Sequence, residues 1–162
     1  MKQIAIAIAI LLLAGCADMT PVNDAEKGKP IEFVQQVPDK TRNEVFSSTK
    51  AWIAETFILG KATIDDANKD AGRIAMKAHI PYPCEKKCDE VIVFTLHLNM
   101  KNNELKLSFT DVRIYSPFAN NGQGEESPIS LQRDQNVAKA EFRRMGDSLQ
   151  AAIMGEKANS DF

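Results

Sequence analysis

The sequence predicts an α+β domain in which two helices pack on one face of an antiparallel five-stranded sheet. Some segments alternate apolar and polar residues with the period of strands, whereas two longer segments repeat apolar residues at helical spacing. Along the chain these segments follow the order β-α-β-β-β-β-α. That order favours an antiparallel sheet with helices on one face and the other face exposed.

The first two elements are a strand and a helix. The strand is predicted over residues 31–37, where apolar and polar residues alternate. Thr41 followed by Glu44 forms a capping box, and apolar residues at helical spacing then predict a helix over residues 41–57. Trp52 lies on the apolar stripe of this helix, so we expect it in the core.

The next strands predict one another's register. A short strand over residues 61–67 and a turn precede two alternating segments, residues 72–80 and 90–100. If Cys84 faces Cys88, every inward residue of one segment lies opposite an inward apolar residue of the other. A slip of one residue would turn a whole face outward, so this agreement supports the hairpin. The predicted pairs are Ile80 with Ile92, Ala78 with Phe94, Met76 with Leu96 and Ile74 with Leu98.

A second hairpin follows at the asparagine-containing turn 101–104, because asparagine tolerates the positive φ of tight turns. The apolar faces coincide again up to Phe109, after which the alternation changes parity. We therefore predict a β-bulge near Thr110 and Asp111. The predicted pairs are Met100 with Leu105, Leu98 with Leu107 and Leu96 with Phe109.

The chain then enters a polar segment, Ser116 to Ser130, which is predicted to be a mobile or functional loop. A closing helix over residues 134–154 follows, because apolar residues recur there at helical spacing. Gly155 ends it.

The outward residues of the strands form a polar, mildly basic face, which is the candidate binding surface. A partner segment, an acidic glycan or only water would suit it. Its residues are Arg73, Lys77, His79, Thr95, His97, Asn99, Lys106 and Ser108.

Composition is ordinary for one globular domain, with 44% hydrophobic residues, 26% charged residues and a formal net charge of -2. So neutral a chain is not expected to bind nucleic acid. We also expect no metal and no cofactor, since neither a zinc-binding H-E-x-x-H nor a phosphate-cradling glycine loop is present.

The N-terminus resembles a bacterial lipoprotein signal peptide. A lysine precedes an apolar run that is too short to span a bilayer, and the run ends in Leu13-Ala14-Gly15-Cys16. The resemblance implies that residues 1–15 are removed and that Cys16 is acylated, for example with palmitate. An aspartate directly after the cysteine would favour the inner membrane. Ala17 stands there instead, so the implied location is the outer membrane, facing the periplasm.

Composition and periodicity divide the chain after residue 15 into three further parts. Residues 16–30 are the lipidated N-terminus and a polar, flexible tether, residues 31–155 the domain, and residues 156–162 a disordered tail. The partners expected are the membrane, through the anchor, and a protein of the envelope. In an oxidising periplasm the remaining cysteines, Cys84 and Cys88, are most simply a disulfide. A metal site would need two further ligands, and the segment around the cysteines supplies no histidine. Redox catalysis usually requires C-x-x-C, and the spacing here is one residue longer.

The domain resembles the bacterial domain-of-unknown-function family with a TBP-like fold. The resemblance covers Phe33 to Tyr115 and rests on VPDKTRNEVFSSTKAWIAETF, KDAGRIAMKA and NNELKLSFTDVRIYS. It implies a fold and an envelope setting but no catalytic residue.

The leading hypothesis is therefore a non-enzymatic binding or structural module of the outer membrane. The alternative is a hydrolase of envelope material that uses His97. On the predicted register His97 lies opposite Ser108, with Asp65 or Asp111 nearby. These are the three kinds of residue that form a Ser-His-Asp catalytic triad. No motif of a known hydrolase supports this alternative.

Overall fold

The computed structural model describes residues 19–57, 61–84 and 89–156. The elements are β1 (Ile31–Gln36), α1 (Arg42–Thr56), β2 (Ala62–Asn68), β3 (Arg73–Pro81), β4 (Val91–Lys101), β5 (Glu104–Ser116), α2 (Ala119–Gly122), β6 (Glu125–Pro128) and α3 (Gln132–Met154). The α+β prediction is confirmed: the sheet is antiparallel in the order β1-β5-β4-β3-β2, with a sixth, short strand, β6, paired to β5. No helix within the described ranges is long and apolar enough to cross a membrane.

The sixth strand corrects the prediction of a loop from Ser116 to Ser130. This segment contains an irregular helical turn, α2, and β6, which pairs Glu125 with Ser116 and Pro128 with Arg113. Pairing between β1 and β5 ends at Phe109, so β6 continues along the same edge of β5 where β1 leaves it. The local sequence EESP has no alternation of apolar and polar residues. Only the free edge of β5 makes it a strand.

Both predicted hairpin registers are confirmed, and every predicted apolar pair is observed. The bulge is confirmed too, since the register of β4 and β5 shifts between Val93 and Thr95. Asp111 accommodates the extra residue with a φ of 50°, in the left-handed region that aspartate tolerates better than most residues.

The first helix begins as predicted. Thr41 Oγ1 accepts a hydrogen bond from the Glu44 amide at 3.3 Å, and Glu44 Oε2 accepts one from the Thr41 amide at 2.8 Å. The Thr41 hydroxyl also donates to Glu44 Oε2 at 2.7 Å. This bond, followed by that from the Thr41 amide, holds the pKa of the Glu44 carboxyl below its usual value. The box satisfies amides that the first turn of a helix otherwise leaves unpaired.

The core lies between the inner face of the sheet and the two long helices. Phe142 of α3 stacks on Phe109 of β5 with ring centroids 4.0 Å apart, and Phe94 of β4 meets both rings edge-on. Trp52 is buried as predicted, and its Nε1 donates a hydrogen bond to Ser148 Oγ at 3.2 Å. This bond joins α1 to α3.

The N-terminal stretch that was predicted to be a tether lies against the domain where it is described. The Val22 amide donates to the Ser130 carbonyl at 2.8 Å, and the Gln132 amide donates to the Thr20 carbonyl at 2.7 Å. Val22 is buried, and Lys139 of α3 forms an ion pair with Glu26. The chain is therefore in contact with the domain from Thr20 onwards.

Thr49 of α1 is fully buried, and its hydroxyl has no hydrogen-bond partner among the described residues. Burying an unpaired hydroxyl costs roughly 1–3 kcal/mol. We therefore expect Thr49→Val, which keeps the branched shape, to raise the free energy of unfolding by about 1 kcal/mol in urea denaturation. Thr49→Ala is the control, because it removes the hydroxyl but also leaves a cavity. A Val variant that is less stable than the wild type would contradict the assignment.

A hydrogen bond joins the end of β3 to the start of α3. Tyr82 Oη donates to Asp134 Oδ1 at 2.8 Å, and Arg133 Nε lies 3.1 Å from the same oxygen. Burial, followed by the bond to Asp134, raises the pKa of Tyr82 to about 12.

This pKa shift predicts alkaline instability. Between pH 10 and 12 the unfolded chain releases the Tyr82 proton while the folded chain keeps it. The stability contributed by Tyr82 is therefore fully present below pH 10 and is lost as pH rises to 12. Urea denaturation across this range, compared with Tyr82→Phe, isolates the effect from other titrating groups. Equal pH slopes for both proteins would show that the phenol makes no contribution.

Candidate functional site

The candidate site lies on the outer face of the sheet, opposite the helices. Strand pairing aligns outward residues in rows that cross all five long strands, a width of about 19 Å at the usual strand spacing. The first row contains Asp66, Ala75, His97, Ser108 and Glu32. The second contains Asn68, Arg73, Asn99, Lys106 and Val34.

A concavity of about 380 Å³ opens over these rows. Its floor includes the small side chains of Ala75 and Ser108, which flank His97 in the first row. Longer side chains surround them, among them Arg73 and Lys106, so the surface dips where the residues are small. The volume falls in the range of small-molecule and side-chain pockets.

Charges of both signs border the concavity. Lys106 Nζ lies 2.8 Å from Glu32 Oε2, and Ser108 Oγ donates to Glu32 Oε1 at 3.1 Å. These two bonds, that from Lys106 first, hold the pKa of the Glu32 carboxyl below its usual value. With Asp66 on the opposite side, two carboxylates balance Arg73 and Lys106. The concavity itself is therefore close to neutral, while the mildly basic character of the wider face, which also contains Lys77, stays a prediction.

Three polar side chains at the concavity remain available to a ligand. Among the described residues, the side chains of Arg73, His97 and Asn99 form no hydrogen bond or ion pair with other side chains or with the backbone, whereas Lys106 is paired. Arg73 and Asn99 are direct neighbours across β3 and β4. A guanidinium beside an amide is suited to hydrogen bonding with a carboxylate.

Five of the eight predicted face residues line the concavity. Lys77, His79 and Thr95 share the outer face but lie farther along the strands. Sequence reasoning missed Glu32 and Asp66, because they reach the site through pairing of β1 with β5 and of β2 with β3. Outward parity in β1 was the available signal for Glu32, whereas Asp66 shares the parity of Ile64 and joins the outer row only because β2 shifts register between the two. The five residues that line it are Arg73, His97, Asn99, Lys106 and Ser108.

Residues 33–115 match the family described as a domain of unknown function (DUF4468) with TBP-like fold. The chain belongs to this family. No curated protein matches it significantly. The matched segment contains β2 to β4 in full, four of the six residues of β1 and all of β5 except Ser116, so it includes every residue that lines the outer-face concavity except Glu32.

Two solved structures have the same fold as this DUF4468 domain. A TBP-like protein from Parabacteroides distasonis aligns with a TM-score of 0.65 and 12% identity, covering 85% of this chain and 99% of its own. A DUF4468 family protein from Bacteroides ovatus aligns with a TM-score of 0.59 and 12% identity, covering 86% and 92%. At this identity the likeness shows the fold alone.

The hydrolytic arrangement around His97 gains no support in this DUF4468 domain. His97 and Ser108 are cross-strand neighbours as predicted, but the Ser108 hydroxyl donates to Glu32 instead of His97. Asp111 is taken up by the β5 bulge, and Asp66 rather than Asp65 borders the concavity. A serine nucleophile needs a hydrogen bond from its hydroxyl to the base that accepts its proton, and the Ser108 hydroxyl does not donate to His97.

We expect His97→Ala to change the free energy of unfolding by no more than about 0.5 kcal/mol, because exposed side chains without partners contribute little. Chemical denaturation measures the stability, and complementation of a deletion strain measures the cellular role, which should persist. A stable His97→Ala protein without any cellular role would contradict this expectation, and a hydrolytic activity of the wild type that the variant lacks would favour the hydrolase.

Of the three cysteines in the predictions, only one lies within the described residues. Cys84 is described, with its Sγ 3.3 Å from the Tyr82 carbonyl oxygen. Cys88 and Cys16 lie outside the described residues, so the disulfide and the lipid anchor stay predictions. Within the described ranges no group of three or more histidine, cysteine or acidic residues is placed to bind a metal ion.

Proposed function

We propose that this DUF4468 protein is a lipoprotein of the outer membrane whose domain is a non-enzymatic binding module. Cys16 carries the lipid, and the outer-face concavity binds a segment of an envelope protein through an acidic side chain. The observation that carries the binding proposal is the adjacent pair Arg73 and Asn99, two uncommitted donors beside a concavity. The lipoprotein proposal rests on the sequence Leu13 to Cys16.

The anchor is tested with Cys16→Ser, which removes the thiol that acylation requires. Mass spectrometry of wild-type protein extracted from membranes should show a lipidated Cys16 as the mature N-terminus. The serine variant should keep its precursor mass and lack the lipid. Wild-type protein with an unmodified Cys16, or without Cys16, would disprove the lipoprotein proposal. Density separation of inner and outer membranes then tests the location.

Binding is tested by photocrosslinking in intact cells. A photoreactive amino acid replaces Lys77, which is exposed on the outer face beside the concavity, and separately Lys50, which is exposed on α1. The two sites match in residue type and exposure but lie on opposite sides of the domain. We expect a discrete adduct from position 77 and none from position 50.

A charge reversal makes the experiment specific for the concavity. Arg73→Glu, combined with the crosslinker at position 77, should reduce the adduct because it repels an acidic partner side chain. Adducts of equal yield from positions 50 and 77, or an adduct insensitive to Arg73→Glu, would contradict the proposed site. An adduct that glycan-degrading enzymes shorten would identify an acidic glycan as the ligand instead of a protein.

A further inference from the structure

The described chain is fixed to the domain very close to the proposed lipid. Thr20 accepts a hydrogen bond from the first residue of α3, Gln132, and Pro21 pairs with Leu131. Only three residues separate Cys16 from Thr20. Even fully extended, that connection spans no more than about 14 Å. The lipid therefore holds one particular part of the domain near the bilayer, a step that rests on the lipoprotein proposal.

Strand pairing shows which part of the domain this is. Asp134, in the first turn of α3, bonds to Tyr82, which directly follows β3. Pro81 pairs with Val91, and Val91 pairs with Tyr115. The start of α3, the end of β3, the start of β4 and the end of β5 thus share one end of the sheet. We call it the anchored end.

The anchored end carries exposed apolar side chains. Phe118, two residues beyond β5, is 75% exposed, and Met19, directly before the docked Thr20, is 71% exposed. Phenylalanine is among the side chains that segments lying on a bilayer insert into the boundary between headgroups and acyl chains. Glu125 and Glu126 of β6 lie at the same end and are also exposed. A zwitterionic surface therefore suits this end better than an anionic one.

We propose that the anchored end rests on the bilayer, with Phe118 and Met19 in the interfacial layer. The outer-face concavity then points into the periplasm. Its His97 lies six residues beyond Val91 along β4, about 20 Å from the anchored end at the usual rise per residue. The turns between β2 and β3 and between β4 and β5 lie at the opposite, distal end. A partner reaches the concavity without crossing the lipid surface.

The test places a tryptophan at each end of the sheet in the lipidated protein. Phe118→Trp puts the probe at the anchored end, and Lys101→Trp puts it at an exposed residue of the distal turn. Both proteins are reconstituted in phosphatidylcholine vesicles with or without bromine on the acyl chains, which quenches tryptophan within short range. The wild-type protein gives the background emission of the buried Trp52, which is subtracted from the emission of each variant. A variant whose circular dichroism spectrum matches that of the wild type is folded.

Flotation with the vesicles is measured first. We expect both variants to float. The added emission of Phe118→Trp should be blue-shifted by the apolar surroundings in either kind of vesicle and quenched only where the acyl chains carry bromine, while bromine should leave the emission of Lys101→Trp unchanged. Floating protein with equal quenching at both positions, or with none at position 118, would overturn the orientation and leave the lipoprotein proposal intact. Protein that does not float refutes the lipoprotein proposal and the orientation with it.

Discussion

Replacing Gly72 with alanine is expected to lower the free energy of unfolding by about 3 kcal/mol or more, which combines the cost of a left-handed alanine with that of overpacking. Gly72 has a φ of +62°, and an added Cβ would lie 2.5 Å from the Met100 carbonyl oxygen and 2.7 Å from Arg42 Cδ. The turn into β3, the end of β4 and the start of α1 all meet at this residue. The Met100 amide also donates to the Gly72 carbonyl at 2.8 Å, so the backbone cannot move away without losing that bond.

Gly28→Ala is the matched control. Gly28 has a similar φ of +70°, but nothing lies within 4 Å of an added Cβ. The control therefore has the backbone strain without the steric clash, and should cost only about 1 kcal/mol. Urea denaturation of both variants gives the comparison. If the two substitutions cost the same, the close approach of Gly72 to Met100 and Arg42 has no energetic importance.

Trp52→Ala is expected to lower the free energy of unfolding by about 3–5 kcal/mol, the range for emptying a large aromatic from a core. Trp52 is 3% exposed, and its ring meets Phe57 edge-on with centroids 5.8 Å apart. The substitution also removes the hydrogen bond from Nε1 to Ser148, which is itself buried. Chemical denaturation followed by circular dichroism measures the loss.

Two variants separate the contributions at Trp52. Trp52→Phe keeps much of the apolar area but deletes the donor to Ser148, so about 1–2 kcal/mol should be lost. His97→Ala is the surface reference. A Trp52→Ala protein as stable as His97→Ala would mean that the contact between α1 and α3 adds nothing to the fold.

The strand registers could be predicted because each wrong register exposes an apolar face. Along β3, β4 and β5 the inward residues are apolar at every second position, and a slip of one residue would turn all of them to solvent. The change of parity after Phe109 likewise located the bulge. The capping box of Thr41 and Glu44 is local as well, since its two bonds join residues three apart.

The candidate site could be predicted only in part. Outward parity placed His97, Asn99 and Ser108 on one face, because parity is a local property of each strand. It did not show that Glu32 joins them, since the hydrogen bond from Ser108 to Glu32 links residues 76 apart in sequence. The net charge around the concavity depends on that pairing, because Glu32 lies beside Lys106 and offsets its charge there.

The sequence by itself therefore determined the fold class, the registers of the central hairpins and the burial of Trp52, because alternation, spacing and capping act over a few residues. The tertiary structure alone decided that β6 pairs with β5, that the stretch after Thr20 docks against α3 and that Gly72 has no room for a side chain. Each of these depends on which surface another part of the chain leaves free. Such surfaces exist only after the strands and helices have packed.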